Sequence, residues 1–193
     1  MTLQIGQTEV RVSFWFFTVL AAAISLGGDM VWLLGAALLH ELGHGLAIWR
    51  CGGRLERLEI GLFGATMLPR FPTVCPISRE MLILFGGPAA GLLAGALGLA
   101  CHNERLALTN LALSGFNLLP IEGLDGGSLL RLALTGRRGP DGERLAGRIG
   151  ALTLSLLLLG SLRFVWSATP MPALLLAGCY LLLSALLHSK RQP

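Results

Sequence analysis

Charged residues are scarce in this sequence. Asp, Glu, Lys and Arg make up 13% of its 193 residues, whereas hydrophobic residues make up 53% and the mean hydropathy is +0.69. A soluble protein of this length needs many more charged side chains to cover its surface. The composition therefore excludes an ordinary soluble domain and predicts an integral membrane protein.

Cysteine is also infrequent, and its spacing is irregular. Cys51, Cys75, Cys101 and Cys179 form no CxxC pair, which argues against a thiolate metal site or a disulfide framework. The net charge of +4 comes without a basic run interleaved with aromatic residues. Nucleic acid is therefore not expected as a partner.

Six apolar stretches are long enough, or nearly long enough, to cross a bilayer as helices. They are residues 12–26, 30–49, 81–100, 106–119, 149–166 and 171–187. The sequence thus predicts an all-α polytopic membrane protein, with six transmembrane helices in one domain over residues 1–193. The first stretch also resembles a secretory signal, but a retained span is preferred because little positive charge precedes it.

The basic residues predict the orientation in the membrane. With six spans, both termini and the loops 49–80 and 126–148 lie on one side, and only Arg105 and Arg163 of the 15 basic residues fall on the other. By the positive-inside rule, both termini are cytoplasmic. Within the first loop, the alternating pattern of residues 55–67 predicts a short β-strand or hairpin near the membrane interface.

The segment His40-Glu41-Leu42-Gly43-His44 lies inside the second predicted span. Residues i and i+4 share a helix face, so His40 and His44 can bind one metal ion with Glu41 beside them. Glu41 can then act as general base towards the attacking water. An incidental polar cluster is the alternative, but ionisable residues in an apolar span are expensive and indicate a functional site.

A catalytic zinc site needs a third protein ligand and an open coordination position. The candidates are Asp125, Glu122, His102 and His188. Asp125 is favoured because it follows a helix that Pro120 ends, and because the predicted topology brings it to the depth of the two histidines. The alternative is that Asp125 only caps the next helix.

The two motifs together resemble the site-2 protease family of intramembrane metalloproteases. HELGH at residues 40–44 and NLLPIEGLDGG at residues 117–127 match its HExxH and NxxPxxxLDG patterns at every fixed position. The match covers roughly residues 30–130 and is most similar to the compact six-span branch that contains a sigma-factor-processing sporulation protease. A glycine-proline segment, residues 85–91, is a further shared feature; from the residues alone it predicts close helix packing.

The resemblance implies zinc ligands at His40, His44 and Asp125, with catalysis by Glu41. It also implies that Asn117 and Pro120 shape the site. Asn117 would donate a hydrogen bond to substrate or to the developing oxyanion, and its alternative role is an interhelical hydrogen bond.

The function predicted from these observations is hydrolysis of a peptide bond within or near a transmembrane segment of a membrane-anchored protein. The expected cofactor is Zn²⁺, and the expected location is the bacterial cell membrane. Further expected partners are the lipid bilayer and either a regulatory membrane protein or a second copy of the chain. A membrane metal-ion transporter using the same residues is the alternative, although such transporters usually repeat their polar positions along several helices.

Overall fold

A computed structural model describes residues 2–6, 8–14, 16–18, 20–21, 28–61 and 64–166. Its backbone contacts divide it into two compact units, the first ending at Phe116 and the second beginning at Asn117. The organisation of residues 1–193 as one domain stays a prediction.

The first unit contains a four-stranded sheet in the order β1-β2-β3-β4. The strands are Thr2–Ile5, Thr8–Val12, Arg54–Gly61 and Gly64–Arg70. β1 pairs with β2 and β3 with β4 in antiparallel fashion, whereas β2 and β3 are parallel. The predicted hairpin within residues 55–67 is therefore confirmed as β3 and β4, and the sheet is larger than predicted because β1 and β2 add a second hairpin.

Ion pairs join the two hairpins across β2 and β3. Glu9 stands opposite Arg57, and their charged atoms are 2.9 Å apart. Arg11 stands opposite Glu59 at 3.5 Å and also pairs with Glu9 at 2.9 Å. Opposite charges on neighbouring strands favour this register.

Glycine contacts bring together the two long helices of the first unit. These helices are α1 (Gly28–Arg50) and α2 (Ile77–Ala100). A Cβ atom on Gly43 would overlap the carbonyl oxygen of Gly86, and one on Gly86 would lie 2.7 Å from the carbonyl oxygen of Gly43. The two backbones are in contact at this point, which only small residues allow.

The third helix of this unit, α3 (Glu104–Asn117), packs against α2 in the same way. Gly91 faces Ser114 and Gly98 faces Ala107, so the two helices run antiparallel. Asn103 starts α3 by accepting a hydrogen bond from the backbone N–H of Leu106 at 3.1 Å, which is the usual N-cap interaction.

The second unit begins with a non-helical segment and continues with two helices, α4 (Asp125–Arg138) and α5 (Pro140–Trp166), which pack together. Gly139 separates them with a φ of +59°, a conformation that glycine adopts readily. A Cβ atom on Gly126 would overlap Leu118 O, and one on Gly127 would overlap Ile121 O. The segment before α4 therefore folds tightly over the first turn of the helix.

The predicted connection at residues 126–148 is helical on either side of Gly139 and not an irregular loop. Leu130 and Leu134 share one half-buried face of α4, and Arg137 and Arg138 lie in its last turn, where cations favour the helix dipole. Pro140 occupies the first position of α5, where its missing N–H costs nothing. Because glycine and arginine are abundant in this stretch, its composition resembles that of a loop although it forms parts of two packed helices.

Three described helices are long and apolar enough to cross a membrane: Met30–Arg50, Ile77–Ala100 and Pro140–Ser161. They correspond to the second, third and fifth predicted spans. α3 is helical over 14 residues, shorter than a bilayer crossing requires. The first predicted span is described only in part, where residues 14, 16–18 and 20–21 are helical, and the sixth lies outside the described residues. The total of six spans stays a prediction.

Candidate metal centre

Two histidine side chains meet on one face of α1. Nε2 of His40 and Nε2 of His44 are 3.2 Å apart, and His40 is only 6% exposed. Two nitrogen ligands of a tetrahedral zinc ion, each about 2.05 Å from the metal, are separated by about 3.3 Å. The observed separation therefore fits two ligands of one such ion.

The ring of His44 is oriented by a second helix. Its Nδ1 lies 2.8 Å from the carbonyl oxygen of Ile83 on α2. Because a carbonyl oxygen can only accept, Nδ1 carries the proton and donates it in this hydrogen bond. Nε2 then presents its lone pair towards His40, as a metal ligand requires.

Glu41 lies between the two histidines in sequence and contacts the sheet. Its Oε1 accepts a hydrogen bond from the backbone N–H of Ala65, near the start of β4, at 3.4 Å. The hairpin of β3 and β4 therefore reaches the carboxylate beside the two imidazoles. Glu41 is half-buried.

Asp125 is the first residue of α4. The N-cap position before it belongs to Leu124. A carboxylate in the first turn of a helix is stabilised as the anion by the helix dipole. The anion is the form that binds a metal.

The three predicted metal-ligand side chains are His40 and His44 on α1 and Asp125 at the start of α4. One buried imidazole, one half-buried imidazole and one half-buried carboxylate form a donor set that suits zinc.

The other predicted residues occupy different environments. Glu122 and His102 are exposed, and His102 lies in the turn between α2 and α3 with a φ of 54°. Asn117 is the last residue of α3 and is half-buried, as is Pro120 in the segment before α4. His188 lies outside the described residues.

Backbone groups around the histidines were not predictable from the motif. The Ile83 carbonyl and the Ala65 amide are present in any residue at those positions, so they leave no signal in the sequence. The glycine-proline segment at residues 85–91 does carry a signal, which from the residues alone predicts helix packing.

Comparison with known proteins finds zinc metalloproteases. The putative zinc metalloprotease Rip3 of Mycobacterium tuberculosis is 34% identical over 192 residues, which cover 81% of this chain and 48% of the relative. Zinc metalloprotease MJ0392 of Methanocaldococcus jannaschii is 28% identical over 80% of this chain and 51% of its own. Stage IV sporulation protein FB of Bacillus subtilis is 33% identical over 61% and 45%, respectively. None of these names describes a transporter.

The fold is also similar to a solved structure. The site-2 protease from Methanocaldococcus jannaschii superposes with a TM-score of 0.66 at 24% identity, covering 94% of this chain and 91% of that one. No family model matches the sequence. The chain spans about half the length of the curated relatives it matches.

Proposed function

Because the chain belongs to the site-2 protease family, we propose that it is an intramembrane zinc metalloprotease. It hydrolyses a peptide bond within or near a transmembrane segment of a membrane-anchored protein. The observation that carries the proposal is the approach of two imidazole Nε2 atoms to 3.2 Å, beside a glutamate, on one apolar helix. Ionisable groups are costly in such a helix, so their presence there indicates a functional site.

In this proposal His40, His44 and Asp125 hold the zinc ion and leave one coordination position open. A bound zinc ion supplies Lewis acidity, which polarises the scissile carbonyl and acidifies the attacking water. The 3.2 Å separation of the two Nε2 atoms supports the assignment of His40 and His44, and the match of residues 117–127 to the second family motif supports Asp125. The same donors also suit iron, cobalt or manganese, so the identity of the metal belongs to the test.

Glu41 acts as the general base. It takes a proton from the water that attacks the carbonyl and then delivers a proton to the departing amine. Its position next to His40 on α1 supports this role, because a base must lie within hydrogen-bond reach of the water it activates.

Asn117 and Pro120 complete the site in a supporting role. The amide of Asn117 donates a hydrogen bond to the substrate or to the developing oxyanion, where a fixed donor stabilises negative charge. Pro120 lies just after the end of α3, where it prevents the helix from continuing, and it shapes the segment that leads to Asp125.

The chain is an integral membrane protein, and we propose that it lies in a bacterial cell membrane with both termini in the cytoplasm. The strong bias of basic residues to one side supports this orientation. Its substrate has a single span with a locally unstable helix, since a regular helix hides its carbonyl groups from attack. A regulatory membrane protein or a second copy of the chain remains a proposed partner.

The test is a paired assay of purified protein in detergent. Bound metal is measured by elemental analysis, and cleavage of a generic single-span substrate is followed for the wild type and for Glu41→Gln. We expect zinc near one per chain in both proteins, with cleavage lowered about 10²- to 10⁴-fold in the variant, the range typical for loss of a general base. Glu122→Gln, which neutralises an exposed carboxylate, is the matched control.

The outcomes separate the hypotheses. Zinc binding without cleavage of any substrate would favour a transporter or a requirement for a partner. Absence of stoichiometric metal from the wild type would rule out the proposed metal centre.

A further inference from the structure

One buried glycine of α2 faces the two histidines rather than the backbone of a neighbouring helix. A Cβ atom built on Gly87 would overlap Nε2 of His44 and would lie 2.7 Å from Nε2 of His40. Among the glycines that the structure describes, Gly87 is the one whose three nearest atoms all belong to imidazole rings. The missing side chain at this position therefore leaves open the space beside both Nε2 atoms.

This space is where a shared metal ion would compete with a side chain. A zinc ion bound to both histidines lies about 2.0–2.1 Å from each nitrogen, close to the distances at which a Cβ atom of residue 87 would stand. We propose that Gly87 is a positioning residue of the metal centre. The bare backbone of α2 forms the wall of the site, and any side chain at residue 87 excludes the ion. The inference rests on the proposed function and adds a requirement to it.

The neighbouring glycine has a different environment. A Cβ atom on Gly86 would lie 2.7 Å from the backbone oxygen of Gly43 and 2.8 Å from Cβ of Ala47. Backbone atoms cannot move aside without separating α1 from α2. An added methyl group at Gly86 therefore disturbs helix packing, whereas the three atoms nearest to one at Gly87 are the ring ends of two side chains.

This difference predicts separate effects on stability and on metal binding. The imidazole rings can rotate away from an alanine at residue 87, so the fold accommodates the substitution. Rotation of His44 would break its hydrogen bond to Ile83 O and turn Nε2 away from His40. The two nitrogens would then no longer point at a common ion.

The experiment compares Gly87→Ala with two matched glycine substitutions. Gly86→Ala tests helix packing, and Gly45→Ala adds a methyl group one residue after His44, where nothing lies within 4 Å. Zinc per chain and zinc affinity are measured by elemental analysis and by competition with a chelator. The Tm of each protein is then measured after the metal has been removed.

We expect wild type and Gly45→Ala to bind zinc equally. Gly87→Ala should lose more than the roughly 100-fold in affinity that removal of an outer-shell partner can cost, while its metal-free Tm stays near that of the metal-free wild type. Gly86→Ala should lower the metal-free Tm.

Two results would overturn the inference while leaving the proposed function intact. One is wild-type zinc affinity in Gly87→Ala. The other is a metal-free Tm of Gly87→Ala lowered as much as that of Gly86→Ala, because loss of metal would then follow from loss of packing. Absence of zinc from both the wild type and Gly45→Ala would overturn the inference and the metal centre together.

Discussion

His44 uses its two ring nitrogens for different tasks. Nδ1 donates to Ile83 O on α2, and Nε2 faces Nε2 of His40. A hydrogen bond at Nδ1 fixes the tautomer and makes Nε2 a better ligand. The orientation of this proposed ligand thus depends on α2, so we expect a substitution that shifts the Ile83 carbonyl to weaken metal binding without altering any proposed ligand.

Asp125→Asn should lower zinc affinity by at least about 100-fold, because removal of a ligand costs no less than removal of an outer-shell partner. An amide keeps the shape of the side chain but loses the negative charge that the metal and the first turn of α4 both favour. Titration with a competing chelator measures the change. Unaltered affinity in Asp125→Asn would exclude it as the third ligand.

The approach of His40 to His44 is predictable because the spacing of the pair is a local property. The i, i+4 separation of His40 and His44 brings their side chains together in any helix, so the motif alone predicts the pair. The acceptor for His44 Nδ1 is a backbone carbonyl on another helix, and the open space beside the pair is an absent side chain at Gly87. The carbonyl has no chemical signature in the sequence, and the sequence alone gives Gly87 only the signature of a small residue in helix packing.

At the scale of elements, ion pairs between β2 and β3 link the β1–β2 hairpin to the β3–β4 hairpin, which contacts Glu41. Hydrogen bonds from Arg11 and Arg57 lower the pKa of Glu9 below its ordinary value of 4.5. A lowered pKa means that the ionised carboxylate is the form favoured by the fold. Glu9 therefore contributes stability above about pH 4.5, and this contribution is lost as the pH falls through the lowered pKa.

Glu9→Gln should accordingly reduce the fall in Tm between pH 7 and pH 3.5. The effect is small, no more than about 3 °C, because these ion pairs are exposed to solvent. Glu56→Gln, which removes the partner of Arg70 at 3.8 Å on the same sheet, is the control. An identical pH dependence in the wild type and Glu9→Gln would contradict a role for this carboxylate.

Prediction of the elements succeeded where one pattern dominated. The alternation of residues 55–67 predicts the β3–β4 hairpin correctly, because successive side chains of a strand point to opposite faces. β1 and β2 are only four and five residues long, and β2 pairs with the distant β3, where Glu9 stands opposite Arg57. The sequence does not predict the helices α4 and α5 over residues 126–148, because glycine and arginine obscure the apolar faces along which the two helices pack.

At the scale of the whole molecule, orientation in the membrane depends on α2. The free thiols of Cys75 and Cys101 flank this helix, which runs from Ile77 to Ala100 and is long and apolar enough to span. If α2 crosses the bilayer, these thiols lie on opposite sides of it. The charge distribution further predicts that Cys75 is cytoplasmic and Cys101 is not.

A membrane-impermeant maleimide should therefore label Cys101 in intact cells and Cys75 only in inside-out vesicles. Burial and the nearby Glu80 carboxylate raise the pKa of the Cys75 thiol, so less of it is the reactive thiolate, and its labelling should be slow and should accelerate with pH. Cys101→Ser and Cys75→Ser assign each signal, and Cys51, which is buried, should stay unlabelled without detergent. Labelling of both thiols from the same side would show that α2 does not cross the bilayer. Labelling of Cys75 alone in intact cells would invert the orientation and place the site that α1 and α2 build at the opposite membrane face.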